Sequence, residues 1–71
     1  MKKEEIESLG GLCSPNNNYE YCFNGWDYLL NTKTMTFWDI NDGYGEPKLL
    51  VRKVKDINHL KDILDSLNIE Y

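Results

Sequence analysis

The chain has 71 residues, eight lysines and arginines against twelve aspartates and glutamates, a formal net charge of −4, and nine aromatic residues. That length fits one small domain, near the lower limit at which a single core holds without disulfides or metal, and the acidic balance works against nonspecific adhesion to nucleic acid. No apolar run approaches the ~20 residues of a membrane-spanning helix, and the start, MKKEEIESLGG, has no apolar stretch of the kind a secretion signal carries, so a cytoplasmic protein is expected.

Taken in order, Met1 to Leu9 reads as a short helix with Ile6 and Leu9 on its apolar side and Gly10-Gly11 as its stop. A helix this short holds only by docking Ile6, Leu9 and Leu12 on the rest of the domain. Cys13 to Asn18 (CSPNNN) is turn-rich and reads as a loop. Without a signal sequence, Cys13 and Cys22 are expected as free thiols rather than a bridge.

Tyr19 to Ile40 reads as three strands joined by two tight turns. Asn24-Gly25 is the pair that tolerates positive φ at both central positions of a type I′ hairpin. A two-residue loop there pairs Phe23 with Trp26, Tyr21 with Tyr28 and Tyr19 with Leu30 on one face. Trp26 is thereby expected in the core, and its truncation to cost about 3 to 5 kcal/mol. Glu20, Cys22, Asp27 and Leu29 take the other face.

The second turn, around Asn31-Thr32-Lys33-Thr34, has two readings. An even loop pairs Leu30 with Met35, placing Met35 and Phe37 on the aromatic face and Thr36, Trp38 and Ile40 on the other; an odd loop exchanges Phe37 for Trp38. The even loop is favoured. Asn41 to Pro47 (NDGYGEP) is a loop, and Lys48 to Val54 a fourth strand whose run Leu49-Leu50-Val51 hides its facing. In Asp56 to Leu67 the residues Ile57, Leu60, Ile63, Leu64 and Leu67 form one helical stripe, with Asp56 or Asn58 as cap, Asn68 in the left-handed position at the end, and Ile69 folding back.

The predicted architecture is α+β: a short N-terminal helix, a four-stranded antiparallel meander and a C-terminal amphipathic helix, both helices on the aromatic face. One sheet face stays open and displays Leu29, Trp38 and Ile40, with Cys22 as a further candidate, a patch unusual for a monomer.

Chemistry-bearing residues do not assemble into a catalytic pattern. His59 is the only histidine, has no evident mate, and reads as an exposed helix residue. Asp27 and Asp39 lie on neighbouring strands but on opposite faces. Two cysteines and one histidine fall short of a zinc site, Asp39 to Gly43 departs from a calcium loop in the place of its glycine and at its twelfth position, Leu50, and Gly10-Gly11 follows a helix instead of opening one, so it cradles no phosphate. No catalytic, metal or cofactor residue is assigned, and no small-molecule ligand is evident. Lys48, Arg52, Lys53 and Lys55 form the one basic cluster and carry an alternative reading as a nucleic-acid-binding module.

The run Tyr28-Leu29-Leu30-Asn31-Thr32-Lys33-Thr34 and the closing run from Ile57 through Asn58, His59, Leu60, Lys61, Asp62, Ile63, Leu64, Asp65, Ser66, Leu67 and Asn68 to Ile69 resemble small uncharacterised proteins encoded by bacteriophages and integrated elements. Such families include inhibitors of host defence systems, so the resemblance implies a non-enzymatic binder acting in the host bacterial cytoplasm. Together the residues and the resemblance lead to an expected protein-interaction module, one that binds a partner protein or self-associates, with Leu29, Trp38, Ile40 and Tyr44 as candidate partner-binding residues.

Overall fold

A computed structural model of the chain describes residues 1–41 and 46–69. Helix α1 (Lys3–Ser8) is followed by strands β1 (Leu12–Cys13), β2 (Glu20–Phe23), β3 (Tyr28–Asn31), β4 (Thr36–Asp39) and β5 (Lys48–Val51), and by helix α2 (Ile57–Ser66). The fold is α+β, and the five strands form one antiparallel sheet in chain order.

Asn24 and Gly25 adopt positive φ, 52° and 71°, as the pair predicts, but they head a longer turn. Phe23 stands opposite Tyr28, Cys22 opposite Leu29, Tyr21 opposite Leu30 and Glu20 opposite Asn31, so residues 24–27 all lie in the turn. Asn24 Nδ2 donates to Asp27 Oδ2 across it at 2.7 Å. Relative to the expected register the pairing shifts by two, which preserves side-chain parity. Tyr21, Phe23, Tyr28 and Leu30 therefore still share a face, while Trp26 leaves it for the turn, where it is 70% exposed. Tyr19 also falls outside the core cluster; its ring carries the Lys33 ammonium 4.9 Å from its centroid.

The second turn is even too. Leu30 pairs with Phe37 instead of Met35, Asn31 with Thr36 and Leu29 with Trp38, leaving residues 32–35 as the turn. Asn31 Oδ1 accepts from the backbone N–H of Lys33 at 2.9 Å and of Thr34 at 3.2 Å, an Asx turn that starts the reversal. Met35 closes it at φ 58°, and its carbonyl accepts from Val54 N at 2.6 Å, tying the turn to the segment before α2.

Two expectations about the sheet are corrected. Leu12 does not dock on the core: with Cys13 it forms a fifth strand, Leu12 opposite Cys22 and Cys13 opposite Tyr21, and Leu12 is 66% exposed. The strand expected over 48–54 ends at Val51, and its pairing with β4 shifts between Phe37 and Trp38, so that Val51 faces Phe37 while Leu49 faces Trp38. The irregularity leaves Leu50 as an extra residue, which is how three consecutive apolar side chains fit one strand.

The core lies between the aromatic face and the helices. Phe23, Leu30, Phe37, Ile6, Val54, Leu60 and Leu64 are fully buried in one cluster with Leu9, Tyr21, Ile63 and Ile69. Phe37 is its centre: Tyr28 stacks on it at 5.8 Å and Phe23 tilts against it at 6.0 Å. Both helices end in Schellman motifs. In α1 the N–H groups of Gly10 and Gly11 reach the carbonyls of Glu7 and Ile6; in α2 those of Asn68 and Ile69 reach Asp65 and Leu64, with Asn68 at φ 59° as expected. Asp56 caps α2 by accepting from His59 N at 2.8 Å.

Gly11 is required by close approach, since a Cβ there would stand 2.7 Å from Ile6 Cγ2 and 2.9 Å from Phe23 Cζ. Urea unfolding should therefore find Gly11→Ala destabilised by about 1 to 3 kcal/mol through overpacking. In the same assay Phe37→Ala should cost about 3 to 5 kcal/mol, whereas Trp26→Ala should stay within about 0.5 kcal/mol of the parent. A large loss for Trp26→Ala would restore the two-residue turn.

Candidate interaction surface

Side chains directly opposite one another in a sheet point the same way, so the register assembles a row across all five strands on the face turned away from the helices. Leu12 stands beside Cys22, Cys22 beside Leu29, Leu29 beside Trp38, and Trp38 beside Leu49. Leu12 and Leu49, at its two ends, are 66% and 36% exposed. On one flank runs a polar row, Glu20, Asn31 and Thr36. On the other are Asp27 and Asn41, joined by a 2.7 Å bond from Asn41 Nδ2 to Asp27 Oδ1. The apolar row thus runs between two flanks that carry polar side chains.

Leu29, Trp38, Ile40 and Pro47 line an open cleft of about 140 Å³ in this face. Its geometry follows from local bonds. Trp38 Nε1 donates to Thr36 Oγ1 at 2.8 Å, and Thr36 shares a 2.7 Å hydroxyl contact with Thr34. The indole's polar atom is thus satisfied within the protein, leaving the ring as an apolar wall. Ile40 is held by the bond from its N–H to Asp27 O at 3.0 Å, which extends the β3–β4 pairing by one step. Of the sequence-predicted residues, Leu29, Trp38 and Ile40 come together here, while Tyr44 lies outside the described residues. Pro47, Leu12 and Leu49 were not anticipated: Leu12 belongs to a strand too short to show alternation, and Leu49's facing is hidden by the run Leu49-Leu50-Val51.

The remaining reactive groups are occupied or separated. Asp27 takes an amide donor on each carboxylate oxygen, from Asn24 and Asn41, and Asp39 lies in register with Tyr28, on the other face. His59 Nδ1 accepts from Lys55 N at 2.9 Å, which makes its ring part of the α2 entry. Among the described residues no group of three or more His, Cys, Asp or Glu side chains stands together as a metal site would require. The two thiols are free and on opposite faces, Cys13 packing on the core side and Cys22 within the apolar row, so the pairing itself keeps them apart. No protein-family model, curated protein or solved structure matches the chain.

Burial pushes the Cys22 thiol up from its ordinary value, with the Glu20 carboxylate adding to the shift. As pH rises the unfolded thiol ionises first, so this group stabilises the fold below the ordinary thiol range and the contribution falls away above it. Alkylation followed by peptide mapping should show Cys22 reacting more slowly than an unfolded-chain control at neutral pH, and urea unfolding should show stability declining from about pH 8 upward. Equal rates for folded and unfolded chain would remove Cys22 from the packed row.

Proposed function

We propose that this protein is a small, non-enzymatic cytoplasmic interaction module that binds a protein partner through the open face of its sheet. The observation that carries this reading is the apolar row from Leu12 to Leu49, with the cleft of Leu29, Trp38, Ile40 and Pro47 at its centre. Aromatic anchors in well-packed apolar pockets commonly dominate binding energy. Trp38 has that form, an indole fixed by its own hydrogen bond and so presented with little rotamer entropy left to lose. The partner group that fits such a cleft is a single apolar or aromatic side chain.

The reading as a binder also draws support from how the polar groups are used. Asp27, Asp56 and His59 accept from amides of the chain itself, which is structural work. The resemblance to small proteins of bacteriophages and integrated elements suggests, as a further part of the proposal, that the partner is a host protein such as a component of a defence system.

Trp38→Ala should weaken binding by at least about tenfold while lowering stability far less than Phe37→Ala does, because it truncates a hot spot and not a core residue. Immobilised parent protein and this variant, exposed to the same bacterial lysate, provide the comparison. Sedimentation at low and high concentration tells whether the partner is a second copy. A Trp38→Ala variant that fails to fold, or that retains every bound protein, would contradict the reading.

A further inference from the structure

Among the described residues strand β5 is the last strand of the sheet, paired with β4 only. In any strand half of the backbone N–H and C=O groups point to each side, so one side of Lys48–Val51 offers unpaired donors and acceptors. The opposite edge, β1, offers only Leu12–Cys13. Around β5 stand two further features: Leu49 and Leu50 are 36% and 37% exposed, and Lys48, Arg52, Lys53 and Lys55 are all exposed. Among the described residues none of these four cations is held in an ion pair.

We propose that the β5 edge is a docking strand for an extended acidic segment of a partner protein, which adds to the sheet as a sixth strand. This rests on the reading of the protein as an interaction module and names the chemistry of its partner. Strand addition uses main-chain bonds for affinity and alternate side chains for specificity. A segment alternating acidic and apolar residues would place its apolar side chains on the open face next to Leu49, and its carboxylates near Lys48, Arg52 and Lys53. The added strand would thereby extend the apolar row beyond its present end.

Charge selects the occupant. Antiparallel pairing of β5 with β5 of a second copy would bring the Lys48 end of each strand against the Arg52-Lys53 end of the other, cation against cation, and lysines on an edge oppose such self-pairing. A polyanionic nucleic acid would use the cations, but it would leave the free backbone edge and the two leucines unused and would meet a chain of net charge −4. An acidic peptide strand uses all three features.

The test is a titration of the full chain with a short peptide alternating glutamate with leucine or valine, followed by amide hydrogen exchange and by the Trp38 indole resonance. The expected result is slowing of exchange at the outward amides of β5 by at least about tenfold. Binding should be lost when the peptide's outward amides are N-methylated, and weakened at least about tenfold in an Arg52→Glu, Lys53→Glu variant of unchanged melting temperature. Absence of β5 protection, or equal binding by the charge-reversed variant, overturns the proposal. A shift of the Trp38 indole without protection of β5 would do so while leaving the open-face reading intact. A single-stranded oligonucleotide that displaces the peptide and binds more tightly would overturn it in favour of a phosphate-binding role.

Discussion

Side-chain parity across two four-residue turns is the constraint on which the structure depends. In a strand, neighbouring residues face opposite sides, and adding or removing one turn residue would send every following side chain to the wrong face. The first turn is closed by the bond between the Asn24 and Asp27 side chains and the second by the Asn31 carboxamide oxygen on two backbone amides. These local bonds decide that Phe37 sits at zero exposure among Phe23, Tyr28 and Leu30. They equally decide that Trp38, one residue on, belongs to the open face with Leu29 and Leu49.

The core follows from that division. Seven side chains are fully buried, drawn from both helices, three central strands and Val54, and they lie on one side of the sheet. A short chain can supply one such layer and little more. The other side is left with its own apolar row, bordered among the described residues by Ile40 and Pro47. Keeping Leu12, Leu29, Trp38 and Leu49 in contact with water costs free energy that burial against a partner would recover. An open apolar row is thus the direct consequence of building a two-layer fold from strands with apolar residues on both sides.

Much of this was legible in the residues, and the failures share a cause. Alternation in Tyr19 to Ile40 reveals which residues share a face, because burial imposes a period of two; it cannot reveal a register shifted by two, which leaves the pattern unchanged. Trp26 was misplaced for that reason, and Phe37 rather than Met35 was found opposite Leu30. The even second turn placed Leu29, Trp38 and Ile40 together correctly. Helix α2 was readable from its stripe, its Asp56 cap and Asn68 at its end. Strand β1 was not, since two residues carry no periodicity, and the β4–β5 irregularity was not, since it is specified by pairing with a partner strand instead of by local preference. The open face was therefore read as a central patch, whereas the structure extends it to both edges.

The central claim, that Phe37 and Trp38 divide the sheet into a core face and an open face, is tested most directly by proton–proton NOEs from their two rings. The account predicts contacts of the Phe37 ring with Phe23 and Tyr28, and of the Trp38 indole with Leu29, Ile40 and Pro47. Contacts from the Trp38 indole to Leu60 or Leu64 of α2, with none from Phe37 to Phe23 or Tyr28, would contradict it.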